Sequence, residues 1–377
     1  MQITQLDIPK GMIDLGIGQP AISLLPVDIM RQAAEHRLKK RDPAILQYGT
    51  EPGNGYFRVE LAKFLSDGYK IPVSADQLFI TCGATQGLNL ICTYFTGPGD
   101  TIFVEEPSYF LALQLFEDLH LTVVGLPVDQ DGLIIEALEE KLHKHKPAFL
   151  YTVPSFHNPS TVTLSAERRE RLVDLSEKHN FFIVADEVYQ LLAYRVKPPP
   201  PMMAYDKHGT VLSLGSFSKI LAPGLRLGWI QATPPLFKQL TQSGLLLSGG
   251  GLNPFTSGIV QSVLELGLLG DHLKSLKKIY TERSANLSTA LHNNLPSGGS
   301  FAEPQGGFFI WLRLPEEFEA ESFRGKACEQ NVDFQPGINF SSKQSLRNYV
   351  RLSFSYYDVE DLREGVRRLA KIITQRF

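Results

Sequence analysis

Residues 181–190 read FFIVADEVYQ, an apolar run that ends at two carboxylates, Asp186 and Glu187. A short run of β-branched and aromatic residues bounded by polar ones is typical of a β-strand. The absence of polar residues within the run indicates a strand buried on both faces, as in a parallel sheet covered by helices. The stretch therefore predicts an α/β fold.

Six similar runs predict further strands of the same sheet: LFITCG from Leu78, TIFVEEP from Thr101, LTVVGLP from Leu121, AFLYTVP from Ala148, TVLSLGS from Thr210 and LGWIQA from Leu227. Helical patterns separate them, for example Ala166 to His179, with Ser165 or Thr163 as the N-cap. Strands that alternate with helices form mostly parallel sheets. We therefore predict a large α/β domain with a mostly parallel seven-stranded sheet flanked by helices.

The last third of the chain has a different pattern. A long, largely uninterrupted helical pattern runs from about Pro254 to Leu295, and two strand-like segments follow, GGFFIWLRL from Gly306 and NYVRLSFS from Asn348. These segments predict a second, smaller α+β domain. The predicted boundaries are residues 46–285 for the large domain and residues 1–45 with 286–377 for the small domain.

The composition excludes several classes of partner. The 377 residues carry 37 basic and 40 acidic side chains, a net charge of −3, which leaves no electrostatic footprint for nucleic acid or an anionic membrane. The 3 cysteines lack the paired spacing of a metal site or a disulfide framework. The N-terminus does not resemble a signal peptide, and no apolar run is long enough to span a membrane. We expect a cytoplasmic protein whose partner is a small molecule or another copy of itself.

Residues 215–219 read GSFSK, and Arg226 follows soon after the lysine. The segment comes directly after a predicted strand, where open α/β sheets bind ligands. Ser216, Ser218 and Arg226 together offer hydroxyl donors and a guanidinium to one phosphate, while Lys219 offers an amine to an aldehyde. A lone lysine after a strand is usually a solvated surface residue. Together with the two serines and the arginine, Lys219 instead favours binding of an electrophilic, phosphorylated cofactor.

A second candidate anion site is TCGATQ, at residues 81–86. Small residues between a predicted strand and a helical pattern leave backbone amides free to face an anion at the helix N-terminus. Tight turns of this kind also serve packing. On its own the segment therefore leaves both interpretations open.

Four more residues follow the predicted strands. Asp186 can pair with a protonated ring nitrogen, or it can be an N-cap or a paired core acid. Tyr189 is close enough along the chain to hydrogen-bond a ring oxygen, and Tyr109 can stack on a ring or simply pack. Asn158 precedes a proline, which alone indicates a turn, and the adjacent His157 is interpreted as a loop residue.

Together these residues resemble the fold-type I pyridoxal-phosphate enzymes, and specifically the class I and II aminotransferases, over nearly the whole chain. The resemblance implies that pyridoxal 5′-phosphate is bound to Lys219 as a Schiff base and that Asp186 pairs with the pyridine nitrogen. It further implies that Asn158 and Tyr189 hydrogen-bond the ring 3-oxygen and that Tyr109 stacks on the ring. Lys219, Asp186 and Tyr189 are thereby the expected catalytic residues.

The resemblance also assigns residues around the cofactor. Five of them match the family's phosphate cup: Ala84, Thr85, Ser216, Ser218 and Arg226. Tyr48, in QYGTEPGNGYFRVEL, resembles the tyrosine that reaches the phosphate of the neighbouring subunit, which implies a homodimer with shared active sites. Arg351 resembles the arginine that binds the substrate α-carboxylate, with Gly18 and Asn158 beside it.

The sequence departs from the family pattern at two places. Ala62 follows Leu61 where the family usually has an arginine, and residues 158–161 read NPST in place of NPTG. Neither departure touches a catalytic atom, so we expect them to affect only the details of turns.

The implied reaction is transamination between an L-amino acid and a 2-oxo acid, with ping-pong kinetics and with Lys219 as the group that moves the proton. The alternatives on the same cofactor are a C–S β-lyase, a decarboxylase and a cyclopropane-carboxylate synthase, because the shared residues act before these pathways diverge. A transcription regulator with a sensor domain of this type is disfavoured, because the motif at residues 14–18 leaves no room for a preceding DNA-binding domain.

The substrate preference depends on a negative observation. No lysine or arginine occurs between Lys238 and Lys274, although this stretch resembles the part that approaches the neighbouring active site. A specialist for acidic side chains would be expected to present a second cation there. We therefore favour aromatic, bulky apolar or 2-aminoadipate-like substrates, with glutamate and 2-oxoglutarate as a second pair.

Overall fold

The computed structural model of the protein describes residues 5–295 and 298–374. In this part of the chain the strands are β1 (Ile13–Asp14), β2 (Leu78–Thr81), β3 (Thr101–Glu106), β4 (Thr122–Asp129), β5 (Gly132–Leu133), β6 (Phe149–Thr152), β7 (Phe182–Asp186), β8 (Val211–Ser216), β9 (Gly228–Ala232), β10 (Phe309–Arg313), β11 (Val332–Asp333), β12 (Gln335–Pro336) and β13 (Tyr349–Ser353). The α-helices are α1 (Val27–Lys39), α2 (Gly55–Tyr69), α3 (Ala84–Phe95), α4 (Phe110–Asp118), α5 (Ile135–Leu142), α6 (Ala166–His179), α7 (Pro234–Thr241), α8 (Gly244–Gly249), α9 (Pro254–Glu265), α10 (Leu268–Asn294), α11 (Ala320–Glu329) and α12 (Val359–Thr374). The domain boundaries stay a prediction, and the predicted small domain also includes residues 1–4, 296–297 and 375–377, which lie outside the described residues.

Eight strands form one large sheet, in the order β2-β9-β8-β7-β6-β3-β4-β5, within the described residues. From β8 across to β4 all neighbours are parallel. β9 lies between β2 and β8 and is antiparallel to both, so β2 runs in the same direction as β8. The predicted mostly parallel α/β architecture is confirmed. The eighth strand, which the sequence did not predict, is the 2-residue β5, antiparallel to β4 at one edge.

Four strands of this sheet are buried along their whole length, as their apolar sequences predict. Every residue of β2, β6, β8 and β9 is buried, because α-helices pack against the strands. β2, β3, β6, β7 and β8 all run in one direction. Their carboxyl ends therefore meet at one edge of the sheet, and the segments that follow them lie there together.

The helices follow local sequence signals. α6 begins and ends where it was predicted, with the Ser165 hydroxyl accepting a hydrogen bond of 3.3 Å from the Arg168 amide and Asn180 in a left-handed conformation at its end. The pattern predicted as largely uninterrupted from 254 to 295 is instead two helices, α9 and α10. They are divided at Gly267, whose φ of 69° lies in the left-handed region that favours glycine.

A second sheet, formed by the C-terminal part of the chain, has β13 at its centre and β10 and β12 antiparallel on either side. Arg351 lies in β13 and is paired with Trp311 of β10 and Gln335 of β12. β1 pairs in parallel with β11, which attaches the N-terminal segment to this region. Among the described helices, none combines the length with the apolar composition that crossing a membrane would require.

Candidate active site

Lys219 follows the carboxyl end of β8 and is partly buried. Its Nζ donates a 2.9 Å hydrogen bond to the carbonyl oxygen of Gly18 and lies 5.6 Å from the centre of the Phe308 ring. Burial, with a further contribution from the Arg351 charge, lowers the pKa of the lysine to about 8. Much of the amine is therefore neutral at mildly alkaline pH.

Asp186 is the last residue of β7 and is 8% exposed. Its Oδ2 accepts a 2.8 Å hydrogen bond from the hydroxyl of Tyr151 in the adjacent strand β6. Its Oδ1 is buried and has no hydrogen-bond partner within residues 5–295 and 298–374. Burial raises the pKa of this carboxyl, and the Tyr151 hydrogen bond and the Lys219 charge oppose the rise. One oxygen is thus fixed while the other remains available to a ligand.

Asn158 and Arg351 come together although they are far apart in the sequence. Arg351 donates from Nη1 to Asn158 Oδ1 over 2.9 Å and from Nη2 to the carbonyl oxygen of Gly16 over 2.7 Å. Its Nε is buried without a hydrogen-bond partner among the described residues. Burial lowers the pKa of this guanidinium to about 10. Arg351 is therefore a buried cation with an unused donor.

Aromatic rings surround that guanidinium. Its central carbon lies 4.1 Å from the ring centre of Phe309, 5.0 Å from that of Phe340 and 5.7 Å from that of Phe110. Gly18 lies against the same group, because a Cβ at this position would be 2.9 Å from the Phe309 ring and 3.7 Å from the Arg351 Nη2. The surroundings of Arg351 thus combine one cation with apolar rings.

Tyr189 is 3% exposed and packs edge-on against two rings, with centroids 5.5 Å from Phe308 and 6.1 Å from Phe309. Tyr109 is partly buried, and burial together with the nearby Asp186 charge raises its pKa to about 12. Burial raises the pKa of Tyr189 as well, so both hydroxyls stay protonated near neutral pH and can act as hydrogen-bond donors.

The predicted phosphate cup lies at the same edge of the sheet. The amide of Ser218 donates to the hydroxyl of Ser216 over 3.1 Å, and the two hydroxyls are 3.0 Å apart. Among the residues that the structure describes, no side chain caps the N-terminus of α3, whose first two residues are Ala84 and Thr85. Its first amides are therefore free to bind an anion.

Arg226 joins this group from the segment just before β9, the strand that is antiparallel to β2 and β8. It has a left-handed φ of 45° just before β9, and its Nη2 donates to the carbonyl oxygen of Cys82 over 3.3 Å. Gly83 has a φ of 92°, and a Cβ there would lie 2.9 Å from the Arg226 guanidinium. A glycine is needed at this position both for the backbone conformation and for the close approach of the arginine.

Tyr48 is not brought to the other predicted residues. Its side chain is 80% exposed, and the hydrogen bonds and ring contacts of the described residues do not join it to them. Two groups of residues are distinguished here by their exposure to solvent. The buried floor consists of Lys219, Asp186, Tyr189, Asn158 and Arg351, and the open rim consists of Tyr48 with the exposed residues around it.

The turn at residues 158–161 departs from the family pattern at its last two residues. Thr161 stands where the family usually has glycine, and its φ is 66°. A β-branched residue in the left-handed region is unfavourable by about 1–2 kcal/mol. The strain lies three residues after Asn158 and does not displace its bond to Arg351.

Two residues of the site were missed or underrated in the sequence. Tyr151 lies in the predicted strand AFLYTVP, but nothing in a single strand indicates its pairing with Asp186. His157 is in a loop, as interpreted, yet it is 1% exposed. Its Nε2 lies 3.1 Å from Glu105 Oε2, and its Nδ1 lies 2.8 Å from the Ser160 hydroxyl. The signal available in the sequence was the run of polar residues that follows a predicted strand.

Comparisons with known proteins extend over the same elements. The model of the family "Aminotransferase class I and II" matches residues 10–369. Aromatic-amino-acid aminotransferase 1 of Thermococcus litoralis is 37% identical, over 99% of this chain and 91% of that protein. Kynurenine aminotransferase of Pyrococcus horikoshii superposes with a TM-score of 0.92 at 33% identity, covering 98% of this chain and 92% of that one. The α-aminoadipate aminotransferase of Thermus thermophilus superposes with a TM-score of 0.88 at 29% identity, covering 98% and 95%.

Proposed function

This chain belongs to the class I and II aminotransferase family, and we propose that its amino donors carry aromatic, bulky apolar or 2-aminoadipate-like side chains. Its activity is the transfer of an amino group between an amino acid and a 2-oxo acid, with pyridoxal 5′-phosphate as the cofactor. The family, the enzyme class and the cofactor predicted from the sequence are confirmed. The roles of the individual residues, argued below, are proposals.

The residues of the site fit this cofactor. The buried Oδ1 of Asp186 lacks a partner within the described part of the chain, and a protonated ring nitrogen would satisfy it. The hydroxyls of Ser216 and Ser218, the uncapped N-terminus of α3 and Arg226 would hold the phosphate. When bound, the cofactor supplies a carbon that an amine can attack and a ring that withdraws electrons.

We assign proton transfer at the substrate α-carbon to Lys219. A general base must be neutral before it accepts a proton, and a pKa of about 8 brings this amine close to the working range. The carbonyl oxygen of Gly18 accepts a hydrogen bond from Nζ and so orients the amine. Burial of the surrounding side chains excludes water from the carbon that loses the proton.

Asp186 is proposed to keep the ring nitrogen protonated, with Tyr151 as a positioning residue behind it. The Tyr151 hydroxyl donates to Oδ2, which leaves Oδ1 as the free acceptor and fixes the plane of the carboxylate. Tyr189 and Asn158 are proposed to donate to the ring 3-oxygen. Tyr109 is proposed to stack on the ring from the end of β3.

Arg351 is proposed to bind the α-carboxylate of the substrate. A guanidinium can hold a carboxylate through two parallel hydrogen bonds, and the unpartnered, buried Nε supports an additional acceptor at this place. Because Asn158 and Gly16 already bond the two terminal nitrogens, the fork is fixed before the substrate arrives. Binding then requires little reordering of the side chain.

The observation that carries the substrate class is the set of phenylalanine rings around Arg351, those of Phe110, Phe309 and Phe340. A substrate whose carboxylate lies on this arginine places its side chain next to apolar surface. Aromatic and aliphatic side chains gain by leaving water there, whereas a short acidic side chain loses hydration without a second cation in return.

A panel of amino donors with 2-oxoglutarate and pyruvate as acceptors tests this proposal. We expect kcat/KM for phenylalanine, tyrosine, leucine and 2-aminoadipate to exceed that for aspartate by roughly 10- to 100-fold, or about 1.4–3 kcal/mol. Phe340→Leu should reduce the preference for aromatic donors over leucine. Aspartate as the best donor would contradict the substrate class, and release of a 2-oxo acid without any acceptor would indicate elimination instead.

We further propose a homodimer in which Tyr48 reaches the neighbouring site. Residues 43–56 lie beside residues 244–255, because the amide of Gly251 donates to the carbonyl oxygen of Gly49 and α2 packs on α9. Both segments expose large apolar side chains to solvent: Leu46, Tyr48, Tyr56, Leu245, Leu247 and Phe255. Large apolar side chains exposed on adjacent segments are typical of a contact between subunits.

A further inference from the structure

A cleft of about 350 Å³ lies outside the residues assigned to the active site. The end of α2, the segment 190–200 and the side of α10 form its walls. Four cations line it, Lys70, Arg195, Lys197 and Lys277, and no carboxylate does, among the described residues. We call it the basic cleft. The whole chain carries a net charge of −3, so this concentration of positive charge is local.

The cations of the basic cleft are largely unpaired. Arg195 lies 3.7 Å from Glu303, a long ion pair between partly exposed groups. Within residues 5–295 and 298–374, the ammonium groups of Lys70, Lys197 and Lys277 take part in no ion pair within 4.0 Å and no side-chain hydrogen bond. Mutual repulsion of such groups is unfavourable unless an anion lies between them.

Lys277 is the member of this group that most requires a partner. It lies on α10 and is partly buried, and burial lowers the pKa of its amine with no acidic group opposing the change. A partly desolvated ammonium loses hydration that only an anionic or hydrogen-bonding ligand can replace.

The other walls of the cleft are apolar and stiff. Leu191 contributes a buried side chain, Val196 is 59% exposed, and Pro198 to Pro200 continue the surface. The proline run is fixed from below, because the carbonyl oxygens of Pro199 and Pro200 accept hydrogen bonds from Gln190 and Arg169. A volume of about 350 Å³ is at the lower end of the range for small-molecule sites.

We propose that the basic cleft binds a small organic anion, one with two or more carboxylate groups or a phosphate on a compact apolar body. The acidic groups would meet Lys277, Lys70 and the cations of the segment 195–197, and the body would cover Val196 and the prolines. Neither the transamination reaction nor the cofactor uses these residues, so the site is additional to the proposed function.

The cleft also adjoins the back of the active site. The Tyr194 hydroxyl donates to the carbonyl oxygen of Gly307, and Ala193 forms a β-bridge with Gly306. The next residue, Phe308, packs against both Tyr189 and Lys219. An anion that draws the segment 193–197 toward α10 would therefore act on residues that contact the buried floor, and its binding should change the KM for the amino donor.

Calorimetric titration of the holoenzyme at low salt tests the binding. The probes are tricarballylate, with three carboxylates on an aliphatic chain, and phenyl phosphate, with a phosphate on a ring; neither can undergo transamination. We expect saturable binding of at least one probe, which identifies the acidic group. Lys277→Met should weaken it roughly 10- to 150-fold, the equivalent of a charged hydrogen bond of about 1.5–3 kcal/mol.

Lys278→Met is the matched control, because Lys278 is exposed on the same helix and does not line the cleft. A second variant, Lys70→Asn, removes another charge while suiting the left-handed φ of 63° at that position. No saturable binding up to about 10 mM, or equal affinities in Lys277→Met and Lys278→Met, overturns the site. Binding that leaves the donor KM unchanged overturns the coupling alone.

Discussion

Asp186 and Arg351, in the buried floor, are 8% and 3% exposed, whereas Tyr48, in the open rim, is 80% exposed. In the floor Lys219, Asp186, Asn158 and Arg351 each have a hydrogen-bond partner from the same chain, and burial shifts pKa values there. In the rim the apolar side chains of adjacent segments face solvent. One chain thus brings together the residues proposed to act on the substrate, and in the proposed homodimer a second copy would supply the outer wall.

The largest effect is expected where the floor meets the reacting atoms. Lys219→Ala removes the proposed base for the α-proton and should lower kcat by roughly 10²- to 10⁴-fold. It should also remove the borohydride-reducible attachment of the cofactor, which absorbance and mass spectrometry of the reduced protein measure. Lys178→Ala, at an exposed position of α6, is the control and should change neither quantity. A reducible adduct that persists in Lys219→Ala would contradict the assignment.

The comparison itself is tested by mixing two inactive variants. If Tyr48 serves the neighbouring site, Lys219→Ala and Tyr48→Ala subunits in one dimer form a single intact site. Equal amounts should recover about a quarter of the wild-type activity, because half of the dimers are mixed and each has one functional site of two. Demonstrated mixed dimers without recovered activity would mean that the rim tyrosine acts within its own subunit.

The buried amine should also affect folding of the cofactor-free protein. The pKa of Lys219 falls from 10.5 to about 8 on folding, so the unfolded chain binds the extra proton between these pH values. The free energy of unfolding therefore rises with pH through this window. Below the window, burying the protonated lysine lowers that free energy by about 3 kcal/mol, at about 1.4 kcal/mol per pKa unit. Urea unfolding should show Lys219→Met more stable than wild type at pH 7, and the difference should shrink toward pH 10.5. A difference independent of pH would argue against a buried amine.

Arg351→Lys tests whether the floor grips the substrate through a fixed fork. A lysine keeps the charge but cannot form two parallel hydrogen bonds, so binding of amino acid and 2-oxo acid should weaken roughly 30- to 150-fold, or about 2–3 kcal/mol. Stopped-flow half-reactions measure both affinities. The absorbance of the cofactor should not change, because Arg351 is assigned to neither the phosphate nor the ring. Loss of cofactor in this variant would place the arginine in a different role.

The smallest effect is expected for Tyr151, which contacts Asp186 and is not assigned a contact with the cofactor. Tyr151→Phe removes the hydrogen bond to Asp186 and should lower kcat about tenfold, or about 1.4 kcal/mol, and shift the pH dependence of the cofactor absorbance. Tyr280→Phe is a matched control, since the Tyr280 hydroxyl is equally buried but has no hydrogen-bond partner within the described residues. The control should keep the wild-type pH profile. Equal changes in the two variants would reduce Tyr151 to a packing role.

The sequence predicts the floor better than it predicts the contacts within it. Asp186, Asn158 and Lys219 each follow an apolar strand, and parallel strands bring such positions to one edge whatever their order in the sheet. The order of the strands in the sheet is harder to predict from the sequence. That β9 lies between β2 and β8, antiparallel to both, depends on which strand edges fit together, and periodicity within one strand contains no information about its neighbour.

The same limit applies to single side chains. The Tyr151 bond to Asp186 and the Arg351 bond to Asn158 join residues 35 and 193 positions apart, so neither leaves a local pattern. Tyr48 was singled out through its family resemblance alone, and its neighbours in the structure are solvent. What a sequence shows locally is burial and strand ends; partners across the fold need the coordinates.

The position of β9 also bears on how the chain is made. Leu78 and Phe79 of β2 pair with Gln231 and Ile230 of β9, strands that leave the ribosome far apart in time. The parallel strands at the centre of the sheet can pair with one another before β9 is synthesised; they are β3, β4, β6 and β7. Until β9 is present, β2 has an unpaired apolar edge. The last strand of the sheet to be synthesised is therefore the one that joins the first to the rest. A nascent chain arrested before residue 228 should be recognised by chaperones through β2.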